Sequence, residues 1–232
     1  MDFIFMLTRQ DQTVVDCLAV MEAIRPAGLT HVGFKDIGVD LETLKALHRA
    51  IKEQGAISYM EVVSTSPEAV LNSARVAREL GVDRLMGGTD VAGVLGVLKG
   101  SRTSYYPFPG RPIGHPTKLG GQPEEVEAQC RRFREQGCAG VDLLAYRATE
   151  ADPLDLVRAA RRGVGDGLLI CAGSVDSTER IEALAAAGCE AFTIGSAAFD
   201  GSFSPRKGLL VHQLRDIAAA AKAPPAQRRA AG

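Results

Sequence analysis

The chain of 232 residues has almost no excess of charge of either sign: 27 Lys and Arg stand against 28 Asp and Glu. A nucleic-acid partner calls for a basic surface, and this balance offers none. No apolar run approaches the roughly 18 residues of a membrane-spanning helix. No basic segment precedes the first apolar stretch, so a secretory leader is not expected. The five cysteines, Cys17, Cys130, Cys138, Cys171 and Cys189, are widely spaced and form no Cys-x-x-Cys pair. That argues against a disulfide framework or structural zinc and for reduced thiols in a cytoplasmic protein. The first apolar run is followed by Thr8-Arg9-Gln10-Asp11, without glycine. The Gly-x-Gly-x-x-Gly turn that usually announces a dinucleotide-binding open sheet is therefore missing.

What the chain has is glycine, 25 residues of it with no tract to hold them. Gly28, Gly55, Gly81, Gly100, Gly137, Gly163 and Gly188 each follow an amphipathic stretch and precede an apolar run. Glycine tolerates the left-handed conformation that ends helices, so this reads as C-cap punctuation. The apolar runs after the caps read as buried parallel strands. Eight are predicted, at 3–8, 30–35, 57–63, 84–88, 103–107, 140–146, 168–173 and 191–195. Asp40, Ser66-Pro67 and Asp152-Pro153 are helix starts, and Asp176-Ser177-Thr178-Glu179 reads as a capping box. A last helix is expected at 209–222, followed by a frayed Pro/Ala/Arg-rich tail at 223–232.

Eight strand–helix units recurring roughly every 27 residues predict a single (β/α)8 TIM barrel over residues 1–222. In such barrels the chemistry sits at the C-terminal ends of the strands. Reading those ends gives Arg9, then Lys35 and Asp36, then Glu61, and later Asp142 and Arg147. His115 falls on a long loop, 108–121, after the fifth strand, where a titratable imidazole suits proton transfer. Barrel geometry needs no charge inside a strand, and an unpaired buried charge is costly. Lys35, Glu61 and Asp142 are therefore the candidate catalytic residues, with His115. Arg9, Asp36 and Arg147 are candidate substrate contacts, the arginines through bidentate pairing with an anion. Asp36, Glu61 and Asp142 are also hard oxygen ligands able to hold Mg²⁺ with a substrate. No histidine spacing supports zinc, and no resident cofactor is expected.

The clearest local pattern lies at the end of the barrel. Cys171-Ala172-Gly173-Ser174-Val175 leads into one helix and Thr193-Ile194-Gly195-Ser196-Ala197 into another. Glycine lets a phosphate reach the backbone, and helix-start amides supply donors and a favourable dipole. This stretch, 170–199, resembles the ribulose-phosphate-binding barrel superfamily. The resemblance implies a substrate phosphate bound at Gly173, Ser174, Gly195 and Ser196. A second stretch, Glu61-Val62-Val63-Ser64-Thr65-Ser66-Pro67-Glu68, is similar to the third-strand region of phosphosugar decarboxylases and N-acylmannosamine-6-phosphate epimerases. Those enzymes commonly carry aspartate where Glu61 stands.

The expected function is that of a lyase or isomerase acting on a small phosphorylated sugar or sugar-derived metabolite. Its reaction passes through an enediolate or enamine managed by Lys35 and Glu61. A barrel that binds a phosphometabolite without turning it over, or an FMN-dependent barrel enzyme, would use the same glycines. Barrels of this kind often self-associate, so a homodimer is a further expectation.

Overall fold

The computed structural model describes residues 1–62, 64, 66–114 and 116–222. Eight short parallel strands form its centre: β1 (Asp2–Met6), β2 (His31–Lys35), β3 (Ile57–Glu61), β4 (Arg84–Met86), β5 (Ser104–Tyr106), β6 (Gly140–Leu143), β7 (Leu168–Cys171) and β8 (Ala191–Ile194). Their order in the sheet is β6-β7-β8-β1-β2-β3-β4-β5. Across the remaining seam, the Ala139 amide donates to the Tyr105 carbonyl and the Asp142 amide to the Pro107 carbonyl, each at 3.0 Å. The sheet thus curls into a nearly closed (β/α)8 TIM barrel, as the glycine spacing predicts.

The helices between strands are α1 (Cys17–Ile24), α2 (Leu41–Glu53), α3 (Pro67–Leu80), α4 (Val91–Leu98), α5 (Pro123–Glu135), α6 (Pro153–Val164) and α7 (Thr178–Ala186). A short α8 (Ser196–Phe199) and a closing α9 (Leu210–Lys222) follow β8. Asp40, Ser66 and Asp152 cap their helices by accepting from amides of the first turn, at Thr43, Ala69 and both Leu154 and Asp155. The capping box is corrected by one position. Ser177 is the cap of α7, accepting from the Arg180 amide, while Asp176 pairs with the Arg180 guanidinium at 2.9 Å.

Alternation along the strands makes two layers of packing. Phe5, Val32, Phe34, Leu85, Val141, Leu169 and Phe192 belong to the layer between sheet and helices. Ile4, Met6, Tyr59, Met86, Tyr106, Ile170 and Ala191 fill the barrel itself. Truncating one of these buried aromatics costs about 3–5 kcal/mol. At the N-terminal end the Tyr59 hydroxyl accepts from Arg84 at 2.6 Å and lies 2.8 Å from His31 Nδ1. The Arg84 guanidinium stacks on the Tyr59 ring, 5.2 Å from its centre. A polar plug therefore seals that end.

The strands stop earlier than their apolar runs suggest. After Met86 the chain turns through Gly87 and Gly88, both with positive φ, where Gly87 packs under the Phe108 ring. After Leu143 it enters one turn of 3-10 helix, Ala145–Arg147. Gly163 is not a helix end; it lies inside α6, where a side chain would strike the Glu127 carbonyl of α5. Its absence of a Cβ serves helix–helix packing, and Gly165 carries the positive φ instead. The residues of the expected frayed tail, 223–232, lie outside the described residues. No helix among the described residues is long and apolar enough to cross a membrane.

Candidate active site

Lys35 and Glu61 are the last residues of β2 and β3 and stand opposite each other in register. Glu61 is in turn opposite Met86, an interior residue, so both side chains point into the barrel. The Lys35 Nζ lies 3.5 Å from Glu61 Oε1, with both side chains about nine-tenths buried at 7% and 10% exposure. Asp142 is opposite Ile170, also interior, and it points inward at the same end. The three strand-borne residues named from sequence therefore all point inward at this end, where Lys35 and Glu61 line the cavity that opens there and Asp142 does not.

A fourth charge joins them that the sequence reading did not single out. Beyond β1 the chain folds into a hairpin, Thr8–Arg9 paired with Gln12–Thr13. Its two turn residues, Gln10 and Asp11, have φ of +48° and +59°. Such turns usually take Asn-Gly, and the missing glycine concealed this one. Aspartate is among the few side chains that tolerate the left-handed region. The hairpin is pinned to β2: the Thr13 hydroxyl donates to the Lys35 carbonyl and accepts from the Lys35 amide, both at 2.8 Å. Asp11 Oδ1 then accepts from Lys35 Nζ at 2.7 Å and lies 3.5 Å from Arg147 Nη2.

Electrostatics follow from this packing. Burial pulls the Lys35 ammonium downward, but Glu61 and Asp11 outweigh it and the lysine is held above its ordinary value. Burial likewise works against ionised Asp11, yet Lys35 and Arg147 hold its carboxyl below the usual range. Asp142 is the opposite case. It is fully buried, and neither carboxyl oxygen has a hydrogen-bond partner among the described residues. Burial first, and Glu61 second, push it well above the carboxylate range. Desolvation without a donor favours the neutral acid.

A cavity of about 350 Å³ opens at this end of the barrel. Asp11, Lys35, Glu61 and Arg147 line one part of its wall, and Gly173, Ser174, Gly195 and Ser196 line another. Gly173 and Ser174 both have positive φ, +77° and +57°. The Arg147 side chain lies against Gly173 so closely that a Cβ there would collide with it. Arg147 also donates to the Thr117 carbonyl at 3.3 Å. Gly195, which precedes α8, has no room for a side chain: a Cβ would sit 2.8 Å from the Thr8 hydroxyl and 2.9 Å from the Thr8 carbonyl. Close packing thus explains part of the need for glycine at both positions.

Other residues named from sequence sit elsewhere. Arg9 is half exposed, pairs with Asp200 at 2.5 Å and lies 5.5 Å from the centre of the Phe199 ring. It stands behind the rim of the cavity rather than in its lining. Asp36 accepts from the Ser73 hydroxyl of α3 and does not line the cavity. His115 lies outside the described residues, on a loop whose flanks, Arg111–Ile113 and Lys118–Gly120, form a second hairpin. Among the described residues, no group of three His, Cys, Asp or Glu is placed to hold a metal ion. All five cysteines are buried and unpaired. Cys171 is no reactive thiol: its hydrogen bond with Cys189 and its burial push it far up.

No family model and no curated protein matches the chain. Solved structures do. Orotidine 5'-phosphate decarboxylase from Pyrococcus horikoshii is 11% identical with a TM-score of 0.67, over 96% of this chain and all of that one. Thiamine phosphate pyrophosphorylase from Pyrococcus furiosus is 12% identical with a TM-score of 0.62, over 96% of this chain and 97% of that one. A native KDPGal structure is 16% identical with a TM-score of 0.62, over 95% of this chain and 92% of that one. At these identities the likeness concerns the fold alone, an eight-stranded parallel barrel.

Proposed function

We propose that the protein is an enzyme of small phosphorylated carbohydrates, a lyase or isomerase whose reaction passes through an enediolate. The observation that carries this reading is the placement of Lys35. It is held charged between Asp11 and Glu61 on the wall of the cavity that Gly173, Ser174, Gly195 and Ser196 also line. In this reading the last four residues contact the substrate phosphate through backbone amides and hydroxyls. Anchoring the phosphate there presents the carbonyl end of a short sugar to the ion-paired cluster.

Glu61 takes the proton from the carbon beside the carbonyl. The Lys35 ammonium donates to the carbonyl oxygen and neutralises the charge that develops on it. Returning the proton to the neighbouring carbon completes an aldose–ketose isomerisation, and returning one to the same carbon from its other face an epimerisation. In a lyase the same oxyanion arises by carbon–carbon cleavage. Two carboxylates beside Lys35 disfavour the neutral amine that a Schiff base requires. Enolisation without a covalent adduct is therefore the preferred course. Arg147 binds the substrate near the phosphate loops. Asp142 does not touch the cavity; as a neutral acid it adds no second negative charge beside Glu61.

The test is solvent deuterium incorporation, read by NMR, across a panel of phosphorylated aldoses and ketoses. Exchange of the proton beside the carbonyl, abolished in Glu61→Gln and reduced about 100-fold in Lys35→Ala, is the expected result. Absence of exchange with every phosphate ester that binds would favour a non-catalytic barrel. A borohydride-trapped adduct on Lys35 would replace enolisation with Schiff-base chemistry.

A further inference from the structure

Six charged side chains line the cavity: Asp11, Lys35, Glu61, Arg147, Asp176 and Asp200. Four are acids and two are bases. Asp176 and Asp200 are half exposed at the rim and face Arg180 and Arg9, so solvent screens them. The inner four decide the field. There both cations already face the same oxygen, Asp11 Oδ1, and Lys35 faces Glu61 besides. A phosphate at the loops relies on backbone donors, but among the described residues lining the cavity a second anion on the substrate has only Lys35 and Arg147 to meet. It would meet Asp11 there as well, in a place where that side chain is 13% exposed and little screened.

Nor does the fold leave Asp11 room to withdraw. Besides the Thr13 contacts with Lys35, the Thr13 amide donates to the Ile37 carbonyl at 2.9 Å and the Val14 amide to the Leu7 carbonyl at 3.0 Å. The return arm of the hairpin is thus tied to the barrel on both sides. A like charge set against a fixed buried carboxylate is a strong discriminator between ligands.

We propose that Asp11 sets substrate class: the site accepts phosphate monoesters whose remainder is neutral, hydroxyl- and carbonyl-bearing, and rejects phosphorylated sugar acids and bisphosphates. This inference rests on the proposed phosphate site and adds the identity of the other end of the substrate. The same carboxylate that keeps Lys35 charged also opposes a permanent substrate anion, whereas the enediolate adds no net charge to the site because Glu61 is neutralised by the proton it takes up.

Calorimetric titration with glycerol 3-phosphate and 3-phosphoglycerate, two esters of the same length differing in a terminal hydroxymethyl against a carboxylate, tests it. The unsubstituted protein should bind glycerol 3-phosphate about tenfold or more tightly than 3-phosphoglycerate. Asp11→Asn removes the charge and keeps a residue that tolerates left-handed φ. It should close or reverse that gap chiefly by tightening 3-phosphoglycerate. Equal or tighter binding of 3-phosphoglycerate by the unsubstituted protein would overturn the proposal, as would an Asp11→Asn variant that shifts both ligands alike. If thermal unfolding shows Asp11→Asn misfolded, Asp11→Ser is read instead. If neither folds, the preference of the unsubstituted protein decides alone. Failure of both esters and of inorganic phosphate to bind would remove the phosphate site itself, and the proposed function with it.

Discussion

Lys35 donates to Asp11 at 2.7 Å, joining the end of a barrel strand to a hairpin turn that the barrel does not need for closure. The contact spans 24 positions of sequence. Both side chains are largely buried, so the pair is a structural element as well as a chemical one.

Lys35→Met should cost about 3 kcal/mol, because it removes the cation that Glu61 faces and leaves Asp11 with Arg147 at 3.5 Å in place of Lys35 at 2.7 Å. A fall in thermal midpoint of roughly 6 °C or more is the corresponding readout. A midpoint unchanged within a degree would mean that the ion pair contributes nothing to stability.

The same pair sets a pH window. Lys35 is raised in the folded protein, so its contribution is present below its unfolded value of about 10.4 and is lost at still higher pH. Asp11 is lowered, so its contribution is present above its unfolded value of about 3.9 and is lost as pH falls through the folded one. Denaturant midpoints in the unsubstituted protein, compared with Asp11→Asn, should therefore differ by a constant amount from about pH 5 to 9 and converge in acid. A difference that grows as the pH is lowered would contradict the sign.

Asp142 acts in the other direction. An acid raised by folding binds its proton more tightly in the native state, so stability falls as pH climbs from the unfolded value toward the folded one. Asp142→Asn preserves shape without an ionisable proton. It should stabilise the protein at pH 8 by about 1 kcal/mol or more and much less near pH 4. Urea denaturation at the two pH values measures this, and a destabilised variant at pH 8 would show that Asp142 has a charged partner after all.

Ser174→Gly should separate stability from binding. A serine at φ +57° is strained, and glycine relieves that strain at the expense of a more flexible unfolded chain. A net gain of about 0.5 kcal/mol is expected. If the hydroxyl contacts a bound phosphate, inorganic phosphate should bind several-fold more weakly to the stabilised variant. Unchanged phosphate affinity would remove Ser174 from the site.

Gly195→Ala tests the packing of the last loop. Its Cβ would meet a backbone carbonyl of Thr8 at 2.9 Å, and backbone cannot swing aside. A loss of about 1–3 kcal/mol in denaturant unfolding is expected, with weakened phosphate binding beside it. A neutral substitution would mean that the hairpin arm at Thr8 yields at this point.

The barrel was legible in the chain because its signals are local. Helix-ending glycines, proline-led helix starts and apolar runs of strand length each act over a few residues, and their recurrence implies the architecture. Lys35, Glu61 and Asp142 were legible for a related reason: a charge inside an apolar run is conspicuous wherever the strand ends up. Asp11 was not, since Gln10-Asp11 lacks the glycine of a typical two-residue turn and an aspartate in a polar loop is unremarkable. Gly163 misled because a missing Cβ serves a helix end and a helix–helix contact equally well, and only the neighbouring Glu127 carbonyl distinguishes them.

The sequence by itself determined the number and order of the barrel strands and which ends carry charge, since periodicity and capping are properties of short segments. Tertiary structure alone decided which charges meet. Arg9 and Asp36 lie beside strand ends as much as Lys35 does, yet one pairs with Asp200 and the other with Ser73. Lys35 instead shares Asp11 with Arg147, because curling the sheet brings the ends of β2 and β6 to one mouth. Pairing of charges depends on distances across the barrel, and no pattern along the chain encodes those.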